Sequence, residues 1–169
     1  MDTKVDDLGA RPRYQKIDHI AIAVKDLDAA IKFFQNCLGF NLVRRRDIRG
    51  AVTGMVSAEM EHNNIKFVLC QGTEPESQVS RLIQQHGSGV AHIALAVENA
   101  EDSAHILQKH GLQFDTTVIR GPGLKQIFSR RDLNSGLSFE FIERDASQQE
   151  FLEENIQELF SQLEKSSAY

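Results

Sequence analysis

The feature that most restricts this chain is a repeat. "DHIAIAV" at residues 18–24 returns as "AHIALAV" at 91–97, so His19 and His92 stand at matching points 73 positions apart (92 minus 19). The match continues beyond the quoted runs. "KDLDAAIKFFQNCLGF" follows the first and "ENAEDSAHILQKHGLQF" the second, and Gly39 and Gly111, placed to stop a helix, are 72 apart (111 minus 39). A unit of this length is one supersecondary group that cannot cover its own apolar face, so two of them are expected to share one core.

Each unit reads as β-α-β-β-β. In the first, Asp26 or Asp28 can cap a helix in which Ala30, Phe33, Phe34 and Cys37 recur at helical spacing. In the second, Asn99 or Asp102 is the capping candidate. The β-like stretches "FNLVRR", "GMVSAEM" and "NIKFVLC" follow the first helix, and "FDTTVIR", "LKQIFSR" and "GLSFEFIE" the second. Strongly twisted short sheets with one helix each join and curl, so the expected fold is α+β: two βαβββ modules forming one cup-shaped, curved mixed sheet. Residues 16–144 would form one domain, with module 1 at 16–72 and module 2 at 89–144, after a flexible arm at 1–15. Residues 145–169 would add an amphipathic helix, in which "FLEENIQELFSQLEK" aligns Phe151, Leu152, Ile156, Leu159, Phe160 and Leu163 opposite an acidic face.

Composition excludes some partners. A formal charge of -5 and a pI near 5.7 give no electrostatic reason to hold nucleic acid or an anionic membrane. The one dense basic run, "RRRDIR" from Arg44, is expected to be a solvated face. No apolar run reaches the roughly 18 residues of a membrane span, and "MDTKVDDLGARPR" lacks the apolar segment of a signal peptide. Cys37 and Cys70 form no C-x-x-C pair and read as small buried hydrophobes, so a cytoplasmic location is expected. Open edge strands on a single cup allow a homodimer.

Strand parity aims the histidines. His19, Ala21 and Ala23 share one face and Ile20, Ile22 and Val24 the other, and His92, Ala94, Ala96 repeat this against Ile93, Leu95, Val97. The bulky residues belong under the helices, so both histidines would line the concavity. Glu140 interrupts "LSFEFIE" between two phenylalanines, where a buried carboxylate needs a cation or an arginine partner. Its counterpart in the first unit is Val68 or Phe67, and neither binds metal. Two imidazoles and one carboxylate with open positions opposite is the ligand set of non-haem Fe(II) oxygenases. Ser57, Gln71 and Gln126 are polar interruptions of β-like stretches that can contact a substrate or face solvent.

The paired histidine strands, with "SQVSRLIQQHGSGVAHIALAVENA", "LKQIFSRRDLNSGLSFEFIER" and "FLEENIQELFSQLEK", resemble the vicinal oxygen chelate superfamily. Within it the resemblance is closest to the C-terminal catalytic domain of the 4-hydroxyphenylpyruvate dioxygenase family. That resemblance implies His19, His92 and Glu140 as ligands of Fe(II), Ser57, Gln71, Gln126, Phe128, Phe151 and Ile156 around the substrate, and a closing C-terminal helix. It implies an Fe(II)-dependent dioxygenase that uses dioxygen to decarboxylate and hydroxylate a small 2-oxo acid. Departures from the family pattern at Ala91, Gln71, Ser138 and Ile156 point to a substrate other than 4-hydroxyphenylpyruvate, and the family's N-terminal domain has no counterpart in these 169 residues. Two other expectations stay open: an epimerase or glyoxalase-type isomerase or lyase using Zn²⁺, Ni²⁺ or Co²⁺ with Gln71 or Glu59 recruited, and a non-enzymatic binding protein.

Overall fold

The computed structural model describes residues 9–145 and 153–166, the side chains of 153–155 and 166 excepted. The first module runs β1 (Tyr14–Ala23), α1 (Leu27–Asn36), β2 (Asn41–Arg49), β3 (Gly54–His62) and β4 (Ile65–Gly72). A connecting helix α2 (Gln78–His86) leads to β5 (Gly89–Val97), α3 (Ala100–Lys109), β6 (Ile119–Gly121), β7 (Leu124–Phe128) and β8 (Ser138–Arg144), and α4 (Glu153–Ser166) follows. All eight strands join one curled sheet in the order β2-β3-β4-β1-β5-β8-β7-β6. The two first strands, β1 and β5, pair antiparallel at its centre, while β4 runs parallel to β1 and β8 parallel to β5. The halves are therefore equivalent, as the repeat requires.

Local chemistry sets the helices. Asp26 accepts from Ala29 N at 2.9 Å and Asn99 from Asp102 N at 2.9 Å, which makes these two the N-caps rather than Asp28 and Asp102. Gly39 (φ 76°) and Gly111 (φ 92°) take the left-handed conformation that turns the chain after α1 and α3. On the convex face Leu27, Ile31 and Phe34 of α1 bury against Ala58, Met60 and Leu69. Phe33 and Cys37 point to solvent instead, a correction to the stripe read from spacing: the buried residues follow an i, i+4, i+7 pattern from Leu27. Ala100 and Ala104 of α3 pack on Ile127 and Phe141 in the same way.

Other details also differ from expectation. β1 starts at Tyr14, inside the stretch expected to be an arm, because Tyr14 pairs with Val97. "FDTTVIR" contributes only the short β6 and one bridge from Phe114 to Ser129, since the Thr116 hydroxyl accepts from Phe128 N at 3.0 Å and replaces a ladder bond there. Residues 78–86, given no element from sequence, form α2. Its Val79 and Leu82 pack with Ala21 and Ala23.

α4 crosses the mouth of the cup, in contact with the two outermost strands, β2 and β6. Phe160 and Leu163 are buried, and Phe160 clusters with Ala21, Ile48, Met55 and Cys70 of the concave face. Polar ties fix the helix at both rims. Glu164 Oε1 accepts from Thr53 N and Thr53 Oγ1, each at 3.1 Å, and Gln162 Oε1 accepts from Thr117 N at 3.2 Å. Gly50 makes the first tie possible, because a Cβ there would fall on the Glu164 carboxylate. Among the described residues no helix is long and apolar enough to cross a membrane.

Candidate metal centre

Three strands deliver the centre: His19 from β1, His92 from β5 and Glu140 from β8. Their ligand atoms lie within 4.8 Å of one another. Glu140 Oε2 is 3.1 Å from His19 Nε2 and 3.3 Å from His92 Nε2, and the rings meet edge to face with centroids 5.6 Å apart. All three residues are buried. The sheet register explains the one-sidedness. Val68 lies opposite Ala21 as Glu140 lies opposite Ala94, so Val68 is the true counterpart of Glu140, 72 positions earlier (140 minus 68), and it supplies no donor. The arginine alternative for Glu140 is replaced by imidazoles and an amide: Gln126 Nε2 donates to Glu140 Oε1 at 2.8 Å.

An outer layer orients these groups. His19 Nδ1 meets Asp18 Oδ2 at 2.8 Å, and Asp18 accepts from Arg144 Nε at 2.8 Å and Nη2 at 3.0 Å. This arrangement turns His19 Nε2 toward the cavity. The His92 ring is flanked by Phe128, perpendicular at 5.2 Å. Asp18 and Arg144 were not singled out from sequence. Simple alternation sends Asp18 away from the His19 face, but the β1–β5 pairing slips between Ile17 and His19, and such an irregularity re-aims side chains. This pairing leaves the Arg144 side chain only 10% exposed.

Proton positions follow from the same contacts. Burial pulls the His19 pKa down, but the Glu140 charge and the Asp18 hydrogen bond outweigh it and raise the value to about 9. Burial pushes Glu140 up, yet the two imidazoles bring it down to about 2. His92 is lowered, chiefly by burial, against the pull of Glu140. Asp18, despite burial, is held well below the usual carboxylate range by His19 and Arg144. Without a metal, the contacts favour a proton on His19 and a charge on Glu140, while burial disfavours the charged form of His92. Two imidazole nitrogens and one carboxylate oxygen, converging from one side, fit a divalent first-row ion.

The centre opens into a cavity of about 50 Å³ roofed by Ile156, Leu159, Phe160 and Leu163 of α4. Ser57, Gln126 and Ile156 line it as expected from sequence, and Phe128 reaches the centre through His92. Gln71 does not line it. On β4, Val68 and Cys70 point inward, so Gln71 points outward, where its Oε1 accepts from Leu27 N at 2.7 Å at the start of α1. Phe151 lies outside the described residues. Gln126 Oε1 is buried with no hydrogen-bond partner among the described residues, and because Nε2 must face Glu140 the amide cannot be turned round. Arg46 and Glu59 also line the cavity, paired at 2.7 Å. The "RRRDIR" run is therefore not a solvated face throughout: Arg46 stands opposite Ser57 and shares its inward side.

Residues 16–141 match the family model of the Glyoxalase/Bleomycin resistance protein/Dioxygenase superfamily. The 4-hydroxyphenylpyruvate dioxygenase of Pseudomonas aeruginosa is 29% identical over 106 residues, covering 60% of this chain and 30% of that protein. A mutant 4-hydroxymandelate synthase from Streptomyces coelicolor superposes with a TM-score of 0.80 at 21% identity, over 93% of this chain and 55% of that one. A methylmalonyl-CoA epimerase from Streptomyces coelicolor gives 0.67 at 24% identity, over 79% of this chain and all of that one. The chain spans about a third of the length of the curated dioxygenase relatives it matches.

Proposed function

The chain belongs to the Glyoxalase/Bleomycin resistance protein/Dioxygenase superfamily, and from that premise we propose that it is an Fe(II)-dependent dioxygenase of a small 2-oxo acid. The observation that carries this reading is the one-sided donor set: His19, His92 and Glu140 on one wall, with Val68 where a fourth ligand would stand. Ferrous iron held there would supply dioxygen activation and the oxidative decarboxylation of a chelated 2-oxo acid, whose remainder is then hydroxylated. That chemistry asks for no base or nucleophile from the protein, only for positioning and exclusion of water.

The chain's own groups suit those tasks. Asp18 and Gln126 hold His19 and Glu140 by their outer atoms, so the inner Nε2 and Oε2 remain directed at one point. The partnerless Oε1 of Gln126 is an acceptor for a substrate or water hydrogen, and the Ser57 hydroxyl is a second polar contact on the opposite wall. Apolar side chains of α4 cover the mouth and exclude bulk water. A volume of about 50 Å³ admits only a few water-sized groups, so α4 must shift for a larger acid to enter.

One observation favours a second reading. Glu59 lines the same cavity, and an isomerase or lyase of this fold could use such a carboxylate as a base. Reconstitution under argon with single divalent metals, followed by oxygen-uptake and carbon dioxide assays over a panel of 2-oxo acids, decides between them. Oxygen uptake with Fe(II) alone is expected. Absence of uptake with every acid, in protein shown to hold iron, refutes the dioxygenase.

A further inference from the structure

Both histidines of the centre follow an irregularity in the pairing of β1 with β5. The ladder matches Ile17 with Leu95 and His19 with Ala94, so it skips Asp18; it matches Ala21 with His92 and Ile22 with Val90, so it skips Ala91. Asp18 and Ala91 are equivalent in the repeat, 73 positions apart (91 minus 18). An extra residue of this kind kinks its strand and re-aims the side chain beside it. Such a kink serves a metal ligand only if something holds it, and the two modules hold theirs differently. In the first, the Asp18 side chain grips the His19 ring directly. In the second, the skipped residue has only a methyl group, and Arg131 Nη2 donates to the carbonyl of Ala91 at 3.0 Å. Ala91 is fully buried, where a carbonyl needs a donor.

Arg131 belongs to the connection between β7 and β8, residues 129–137, which stands where the first module has the tight turn at 63–64. Its Nη1 donates to the carbonyl of Gly136 at 2.6 Å. The guanidinium therefore joins the strand just before His92 to the loop that leads into β8, the strand of Glu140. That loop has an order of its own: Asp132 N donates to Leu137 O and Gly136 N to Asp132 O, each at 2.8 Å, and Asp132 Oδ2 accepts from Ser135 N at 2.8 Å. The reach to Ala91 is thus not what closes the loop.

We propose that Arg131 is a positioning residue of the metal centre, which fixes the bulge at Ala91 and thereby the direction in which His92 presents Nε2. The inference rests on the three-donor centre and not on the reaction assigned to it. A planar fork with its donors at a fixed separation suits two carbonyls, and a compact ammonium group does not. Without the tie the bulge can relax, and His92 loses its aim as a ligating histidine does when its outer partner is removed.

The test uses the full chain, freed of metal and titrated with Co(II), whose visible absorption reports coordination geometry. In Arg131→Met the Co(II) affinity is expected to fall about tenfold to a hundredfold, as on losing an outer partner of a ligating histidine, and the visible band of the saturated protein to shift or change in strength. Asp132→Ala removes the bond from Ser135 and leaves the tie to Ala91, so it is expected to lower the urea midpoint while keeping wild-type affinity and band. Wild-type affinity and band in Arg131→Met overturn the assignment. An equal loss in Asp132→Ala overturns it too, since loop order and not the tie would then be responsible. Arg131→Lys keeps the charge without the fork and must bind more weakly than wild type; full recovery there overturns the assignment, and this variant carries the test should Arg131→Met not fold. If the wild-type chain takes up no Co(II), the metal centre itself is overturned, a result distinct from all of these.

Discussion

Asp18→Asn is the sharpest test of how the metal centre is built. Asp18 never touches the ion position; it meets His19 Nδ1 at 2.8 Å and takes two bonds from Arg144 at 2.8 and 3.0 Å. The amide keeps the shape and one acceptor oxygen but removes the charge that orients the imidazole and strengthens its donation. Losing such an outer partner weakens metal binding by about tenfold to a hundredfold. The variant also takes from the Arg144 guanidinium, whose side chain is 10% exposed, the carboxylate to which it donates twice, a change that costs about 3 kcal/mol of stability. These two effects have different origins and separate experimentally. Adding Arg144→Met removes that cation, so stability should largely return while metal affinity stays low. Affinity is measured by anaerobic competition with a chromophoric chelator, and stability by urea unfolding of the metal-free protein. Wild-type affinity in Asp18→Asn, or recovery of affinity in the double variant, would refute the claim that this carboxylate acts through His19.

Metal affinity and stability should also follow pH in defined directions. With the metal-free His19 raised to about 9 from 6.5, binding must expel a proton at neutral pH, so apparent affinity should climb about tenfold per unit and level off above about 9; a pH-independent constant between 6.5 and 8 counts against the imidazolium. For folding, the His19 contribution is complete below 6.5 and lost as pH rises through about 9, whereas that of Glu140 is complete above 4.5 and lost as pH falls toward about 2, which urea midpoints across pH in Glu140→Gln and wild type will report. Gly50→Ala should push the Glu164 carboxylate off Thr53 and loosen α4, costing about 1–2 kcal/mol and raising amide exchange in residues 156–165; unchanged exchange there would mean that this tie does not hold the helix.

What could be read from the residues and what could not divides along one physical line. Strand alternation is local, so the inward aim of His19 and His92 and the outward aim of Ile22 and Leu95 were visible from the repeat alone. The repeat offset also carried Glu140 back to Val68 or Phe67, and the sheet register selects Val68. Alternation fails where the ladder slips, and the slip between Ile17 and His19 is why Asp18 was overlooked. It also needs a starting point. Without knowing which residues of β4 faced in, Gln71 was assigned to the substrate, although Val68 and Cys70 occupy the inner side. On β2 the charge of the "RRRDIR" run outweighed parity, and so Arg46 was sent to solvent; its buried partner Glu59 lies on a different strand and leaves no mark beside it. The roof was legible as an apolar stripe, but its anchor to Gly50 and Thr53 depends on a contact more than a hundred residues away in the chain.

The two halves share a backbone plan, and the chemistry arises where their side chains disagree. Three pairs of equivalent positions matter. Val68 stands in one half where Glu140 stands in the other, so among the described residues the cup offers three donors, which leaves open positions on one side of any ion they hold. Ala91 stands in one half where Asp18 stands in the other, so among the described residues His19 has a carboxylate behind it and His92 does not; Glu140 and then Asp18 raise the His19 pKa, whereas burial lowers that of His92. Phe128 stands in one half where Glu59 stands in the other, so a ring meets His92 at the position that carries a carboxylate in the first module. A symmetric cup would present the same surface to both ends of a ligand and could not tell them apart. With these three differences the cup gathers its three donor atoms at one place and a buried ion pair at another, so an elongated ligand would meet different chemistry at its two ends.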